Sequence, residues 1–274
     1  MKFALLGDPV AHSKSPAMHM AAYRALDLPH TYVAIQATPA DLPRLVRALR
    51  DGEYDGLNVT VPHKLRILDH VDVVAPSAAA AEAANTLVRA PDGRVVAQNT
   101  DVPALASELA RLAPGRTTAE WAASEAIVLG TGGAAHAAIL ALSKAIGVAT
   151  ITVRARNPAL LGVEARPLAK AEPLAPSARD ATALTIIQAT SAGMDGADPG
   201  DAVASAIAWN ELPEGAIALD VVYAPAETPF LRAANARGLR CANGLGMLAE
   251  QGALAFELWL GIPAPRDAML AALR

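Results

Sequence analysis

Three short polar patches carry residue types suited to holding an anion and exchanging a proton. The first is Gly7-Asp8-Pro9-Val10-Ala11-His12-Ser13-Lys14-Ser15-Pro16, where two serine hydroxyls stand two positions apart just ahead of a proline that opens a helix. Hydroxyls and unpaired amides at such a place hold a carboxylate without an arginine, although Ser15 reads equally as a simple helix cap. The second is Asn58-Val59-Thr60-Val61-Pro62-His63-Lys64, which ends a strand and is expected to start a helix at Pro62, with Lys64 in its first turn. The positive end of the helix dipole disfavours an ammonium there, which suits proton exchange better than a structural charge. A solvated surface lysine is the alternative. The third patch is Asn85-Thr86 followed by Gln98-Asn99-Thr100-Asp101. A carboxylate at Asp101 would hold the amine of Lys64 in place and tune its proton affinity, or it would only cap the helix that follows. Spacing leaves both open.

A fourth motif has a different purpose. Gly130-Thr131-Gly132-Gly133-Ala134-Ala135 follows an apolar strand and opens a helix. Small residues in that frame let the backbone approach a pyrophosphate, whose charge meets the free amides and dipole of the helix. An ordinary tight turn is the structural alternative. A site for NAD would place an acid about 20 residues on, at the end of the next strand. This chain has Thr152-Val153-Arg154-Ala155-Arg156 there and no acid. Two guanidiniums suit a 2′-phosphate, with Arg154 the better placed, and so favour NADP; a pair of solvated arginines would look the same.

These patches need strand ends to carry them. Phe3–Leu6, Thr31–Ile35 and Leu57–Val59 read as strands, with helices near Ala17–Leu26 and Leu42–Leu49, the latter opened by Asp41 and Pro43. A second series starts with strand Ala126–Leu129, helix Ala134–Ile146 stopped by Gly147, and strand Ala149–Val153. Leu184–Gln188 and Ala216–Val221 fit further strands, Val102–Leu112 a connecting helix, and Met247–Leu260 a long final helix before Pro263 and Pro265. Alternating strands and helices imply an α/β fold with mostly parallel sheets.

Bulk composition sets the frame. With 274 residues, 53% of them hydrophobic and 18% charged, the chain has enough apolar material for two modest domains and no disordered character. A net charge of −4 argues against nucleic acid or an anionic membrane as a partner, so an anionic ligand must be caught by local donors. Cys241 is the only cysteine, so no intrachain disulfide forms, and a reducing cytoplasm is expected. Gly7-Asp8-Pro9 cuts off the apolar N-terminus before it resembles a signal peptide. Ala126–Ser143 has no Asp, Glu, Lys or Arg and is long enough for a membrane span, but its glycines fit a strand, a turn and a buried helix better. No metal is expected.

Taken together, the patches resemble the shikimate dehydrogenase family over nearly the whole chain. The blocks are Gly7–His19, Asn58–Lys64, Ala84–Leu87, Asn99–Asp101, Gly130–Ala134, Ala189–Met194, Asp220–Pro225 and Gly244–Leu248, with Gln251 on the last helix. The resemblance implies two α/β domains with a cleft between them. A discontinuous substrate domain takes residues 1–101 and 238–274, and a Rossmann-like NADP domain takes 102–237. It also implies NADPH-dependent reduction of 3-dehydroshikimate to shikimate, a step toward aromatic amino acids, by a monomer or homodimer. Lys64 and Asp101 match the catalytic pair. Ser13 and Ser15 match the carboxylate-binding serines, with Tyr223 near them, and Thr60, Asn85 and Gln251 match residues that bind ring hydroxyls. Gly130, Thr131, Gly132, Gly133 and Ala134 match the phosphate turn, Arg154 the arginine at the 2′-phosphate, with Arg156 as a second contact. Thr190, Val221, Gly244 and Met247 match further cofactor positions, Val221 and Gly244 at the nicotinamide end. The chain departs from the family at Met20, usually asparagine; at Glu82, usually glycine; at Val102-Pro103; and at Val153-Arg154-Ala155, where the family has Asn-Arg-Thr. A quinate/shikimate dehydrogenase with relaxed substrate or cofactor use is the near alternative, and a non-catalytic dinucleotide sensor the distant one.

Overall fold

Apolar runs alternate with proline-opened helices from the first residues onward, and the local structure follows them. In the computed structural model, which describes residues 1–163 and 165–274, β1 (Lys2–Gly7), β2 (Thr31–Gln36) and β3 (Gly56–Val59) pair in parallel, with β1 in the middle. They are joined by α1 (Ser15–Ala25) and α2 (Leu42–Arg50), each with a proline in its first turn, where no backbone donor is lost. Leu42, Leu45, Val46 and Leu49 form the apolar stripe of α2 and share one buried cluster with Leu6, Leu57 and Val59.

The next elements depart from the expected parallel order. After β4 (Val73–Val74) and α3 (Pro76–Ala81) come β5 (Thr86–Arg89) and β6 (Val95–Gln98), and β5 runs antiparallel to both β3 and β6. The sheet is therefore mixed, in the order β2-β1-β3-β5-β6-β4. Strands of two to four residues are too short to show a period, which is why the sequence did not announce them. Their register matters to the site: Asn58 stands opposite Thr86, and Thr86 opposite Gln98. The second and third polar patches thus meet at neighbouring strand ends.

Glu82 follows α3 at φ +48, in the left-handed region. Glycine adopts that conformation freely, whereas the Cβ of any other residue makes it costly, so glycine would be less strained than Glu82 at this position.

The chain divides into two compact units, Met1–Ala104 with Leu248–Arg274, and Leu105–Met247. The first division falls within α4 (Asp101–Leu112). In the second unit, α5 (Thr118–Ala122) precedes β7 (Glu125–Leu129), and α6 (Gly133–Leu140) follows it. Then come β8 (Thr150–Ala155), β9 (Lys170–Pro173), β10 (Ala183–Gln188), α7 (Asp201–Ala204), β11 (Ile217–Asp220), α8 (Pro229–Ala236) and β12 (Arg240–Ala242). All six strands are parallel, in the order β12-β11-β10-β7-β8-β9. Chain direction across the sheet reverses between β7 and β10, the switch point beside which such sheets bind ligands. The helix expected over Ala134–Ile146 is realised as α6 plus a π-helical segment, Ala141–Ile146, in which Gly147 N bonds back to the Leu142 carbonyl. The apolar run Ala126–Ser143 resolves into β7, a glycine turn and this helix. Among the described residues, no helix is long and apolar enough to cross a membrane. The chain closes with α9 (Leu245–Leu260) and α10 (Arg266–Ala271).

Candidate active site

In the first unit the converging strand ends put an amine and a carboxylate in contact. Lys64 Nζ donates to Asp101 Oδ2 at 2.7 Å. The other carboxylate oxygen accepts from Asn85 Nδ2 at 2.9 Å, and the same amide nitrogen lies 2.9 Å from Thr100 Oγ1 and 3.3 Å from Gln251 Oε1. Asn85 Oδ1 accepts from Thr100 N at 2.8 Å. The Asp101 side chain is only 9% exposed against 26% for Lys64, so the amine is the more open member of the pair.

The alternative in which Asp101 merely caps α4 fails for a local reason. Asn99 Oδ1 accepts from Asp101 N at 3.0 Å and from Val102 N at 3.2 Å. Asn99 thereby satisfies the first amides of α4 and leaves the Asp101 carboxylate to Lys64. The expected helix at Pro62 does not form: residues 61–65 hold two turns on either side of His63, and a 3-10 helix begins only at Arg66. Lys64 is therefore not in a first helical turn, and the dipole argument for it lapses. What holds the amine is the Asp101 carboxylate. Backbone bonds fix the turn, from His63 N to the Thr60 carbonyl at 2.9 Å and from Ala84 N to the Lys64 carbonyl at 2.8 Å.

Ser15 begins α1 without capping it, and Ser13 Oγ instead accepts from Ser15 N at 3.2 Å. Lys14, between them, donates to the Leu273 carbonyl and ties the serine loop to the end of the chain. Thr60 is half-buried just beyond β3. Lys64, Asn85, Asp101 and Gln251 are joined by hydrogen bonds; Ser13, Ser15 and Thr60 belong to the same unit without bonding to that group. Tyr223 lies in the second unit, and burial pushes its hydroxyl pKa up.

One supporting layer was not foreseen. Tyr32 on the edge strand β2 donates its hydroxyl across β1 to Asn58 Oδ1 at 2.8 Å. Asn58 Nδ2 then donates to the Asn85 carbonyl at 3.0 Å and to Thr86 Oγ1 at 3.1 Å. Both amide protons of Asn58 and its side-chain oxygen are thus engaged, and it holds the backbone of the residue that holds Asp101. The available signal was an asparagine inside an apolar strand, Leu57-Asn58-Val59.

In the second unit the glycine turn has the open geometry its composition implies. Gly130 has φ +117, and a Cβ there would stand 2.8 Å from Thr190 Cγ2. Gly132 and Gly133 face open space and lead into α6. The amides at the helix start are thus accessible, which fits a dinucleotide pyrophosphate. Thr190 abuts this turn, while Val221 packs against Gly244. Met247 is in the first turn of α9, where Asn243 Oδ1 accepts from Leu245 N at 3.1 Å.

Arg154 is a correction. Its side chain is fully buried and ion-paired with Asp180, and it also donates to the Ala206 carbonyl and to Ser177 Oγ, each at 2.8 Å. No phosphate reaches it. β8 ends at Ala155, so the first residue beyond the strand is Arg156, whose side chain is 82% exposed and 3.7 Å from Asp198. The position at the strand end therefore belongs to Arg156.

Comparison with known proteins agrees with this layout. Residues 5–87 match the family model for the shikimate dehydrogenase substrate binding domain, and residues 244–274 that for the shikimate 5′-dehydrogenase C-terminal domain. The shikimate dehydrogenase (NADP(+)) of Shouchella clausii is 36% identical over 98% of this chain and 96% of its own length. That of Methylobacterium radiotolerans is 40% identical over 96% and 92%. The crystal structure of shikimate 5-dehydrogenase from Thermus thermophilus in complex with NADP(H) and shikimate superposes with a TM-score of 0.86 at 38% identity, covering 100% of this chain and 98% of the other. With that identity sustained from end to end, this chain belongs to the shikimate dehydrogenase family.

Proposed function

We propose that the chain catalyses the reversible NADPH-dependent reduction of 3-dehydroshikimate to shikimate. The observation that carries this reading is the 2.7 Å contact between Lys64 and a mostly buried Asp101, in which the amine is the more open of the two groups. Bound NADPH supplies a hydride to the ketone carbon. The Lys64 ammonium donates a proton to the oxygen that becomes the alcohol, and the resulting amine regains a proton from water. In the oxidative direction the neutral amine takes the hydroxyl proton. Asp101 orients Lys64 and one substrate hydroxyl. Ser13 and Ser15 hold the substrate carboxylate, with Tyr223 assigned to substrate as well, and Thr60, Asn85 and Gln251 bind the ring hydroxyls.

The first unit takes the substrate and the second the cofactor. The Gly130–Ala134 amides would hold the pyrophosphate and Arg156 the 2′-phosphate, with Thr190, Val221, Gly244 and Met247 along the rest of the cofactor. With one cysteine and no need of a disulfide, the protein would act in the cytoplasm, as a monomer or homodimer.

Absorbance at the nicotinamide band tests the assignment, with shikimate or quinate as substrate and NADP or NAD as cofactor. The expected order puts shikimate with NADP first. Faster turnover of quinate would move the protein to the quinate-using relatives, and no turnover with any pair would end the dehydrogenase reading.

A further inference from the structure

Gln188 and Asp220 are register partners at the C-terminal ends of the adjacent parallel strands β10 and β11, and both are fully buried. Neither contributes to the proton chemistry above. A polar side chain at such a depth needs partners, and these two find them in the loops that leave their own strands. Gln188 Oε1 accepts from Thr190 N, and its amide donates to the Ala192 carbonyl at 2.9 Å. Asp220 Oδ1 accepts from Val222 N at 2.9 Å, and Oδ2 accepts from the Thr228 hydroxyl at 2.5 Å. That second bond spans the whole segment from Val221 to Glu227 and closes it into a loop.

The closed loop is packed on both sides. Gly193, at φ +87, lets the loop after β10 approach so closely that a Cβ there would lie 3.0 Å from Thr228 Cβ. At Gly244 a Cβ would run into the Val221 carbonyl, and Gly244 N donates to the Val222 carbonyl at 3.0 Å. Gly193 and Gly244 therefore bear on the same loop that Asp220 and Thr228 close.

We propose that Asp220 and Thr228 are positioning residues: their hydrogen bond holds the Val221–Tyr223 segment where it must stand to receive the nicotinamide end of NADP. The proposal rests on the assignment of Val221 and Gly244 to that end of the cofactor. Thr228 also caps α8 by accepting from Leu231 N at 3.2 Å, so a purely structural role has to be separated from a positioning one.

Asp220→Ala opens the loop and leaves the α8 cap intact. Asp220→Asn keeps it closed, since the amide oxygen can accept from Val222 N while the amide nitrogen donates to Thr228 Oγ1. Thr228→Val and Thr228→Ser form a second pair, usable if Asp220→Ala does not fold. Thr228→Val also removes the α8 cap, so its kinetic change is read against that of Thr228→Ala, which removes the same cap, and against the Tm of both. The opening variants are expected to lower kcat by about tenfold and raise the NADP KM at least about threefold, because small misplacements at the reacting end are costly. The shikimate KM should stay within about twofold, and the two conservative variants should regain most of the wild-type values. Opening variants with a lower Tm but unchanged kcat and NADP KM would overturn the proposal, as would a shikimate KM rising as much as the NADP KM. NADPH fluorescence on binding needs no turnover. If the wild type fails to oxidise shikimate, the functional reading has failed, and the loop is then judged on whether NADPH binding weakens in the opening variants or stays the same.

Discussion

Arg154 is paired with Asp180 at a depth where neither side chain touches solvent. The pair joins β8 to two distant segments, because Asp180 Oδ2 accepts from Ala208 N at 2.6 Å while Arg154 donates to Ser177 and Ala206. Removing one member of such a pair strands the other charge in a dry interior, at a cost of about 3–5 kcal/mol. Arg154→Met should therefore lower the stability of the second unit by that order in urea. The double variant Arg154→Met/Asp180→Leu should recover much of the loss. A single variant as stable as the wild type would mean that the pair is not desolvated.

Two residues further on, Arg156 is expected to affect cofactor choice instead of stability. Its exposed guanidinium is worth little to the fold, since its contact with Asp198 is long and open to solvent. Toward a 2′-phosphate it would supply charge-assisted hydrogen bonds of about 1.5–3 kcal/mol, so Arg156→Ala should raise the NADP KM roughly ten- to a hundredfold. The NAD KM should not move. Equal changes for both cofactors would show that Arg156 does not read the 2′-phosphate.

The Lys64–Asp101 pair gives the largest expected effect. Lys64→Ala removes the proton donor and should cut kcat by roughly 10²–10⁴, with a smaller change in KM. Ser13→Ala combined with Ser15→Ala should do the reverse, raising the shikimate KM more than it lowers kcat. Steady-state kinetics of the two variants distinguishes the roles: near-normal turnover without Lys64 removes it from the mechanism, and an unchanged KM without the serines places the carboxylate elsewhere.

What the sequence conveyed depended on how local the physics was. The glycine turn was readable because Gly130, Gly132 and Gly133 sit between an apolar strand and a helix, and nothing distant is needed to form it. Pro62 misled because its restricted φ suits a turn as well as a helix start, and only the chain beyond it decides. Asn99 and Asp101 are both good caps, and the choice between them came from which one Lys64 and Asn85 could reach. Arg154 and Arg156 have the same chemistry; what separates them is the end of β8 at Ala155 and the segment around Ala206 and Ala208 that buries the first, a long-range event. Tyr32 was invisible as a site residue because its partner Asn58 lies on another strand, and Thr228 because it reads as a plain helix cap while its hydroxyl reaches back to Asp220 at the end of β11.

His19 makes acid the condition that tests the core of the first unit. It is fully buried and stacked on Tyr32 with ring centroids 4.2 Å apart, and neither ring nitrogen has a hydrogen-bond partner. Burial lowers its pKa from 6.5 to about 3. Below pH 6.5 the unfolded chain takes up a proton that the folded chain refuses, so stability falls by about 1.4 kcal/mol per pH unit from this group until the pH nears its folded value. Asp220 works the opposite way: burial raises its pKa from 3.8 to about 6, so across that interval the folded chain holds the extra proton and gains stability as pH falls. The two slopes offset one another between about pH 6 and pH 4. His19→Phe keeps an aromatic ring against Tyr32, removes the two unpaired nitrogens and leaves the Asp220 slope uncompensated. Its stability relative to the wild type should therefore grow steadily as pH drops from 6.5 toward 4, as measured by urea unfolding at each pH. A difference that stays constant over that range would mean that His19 takes up a proton in the folded protein and is not sealed in the core.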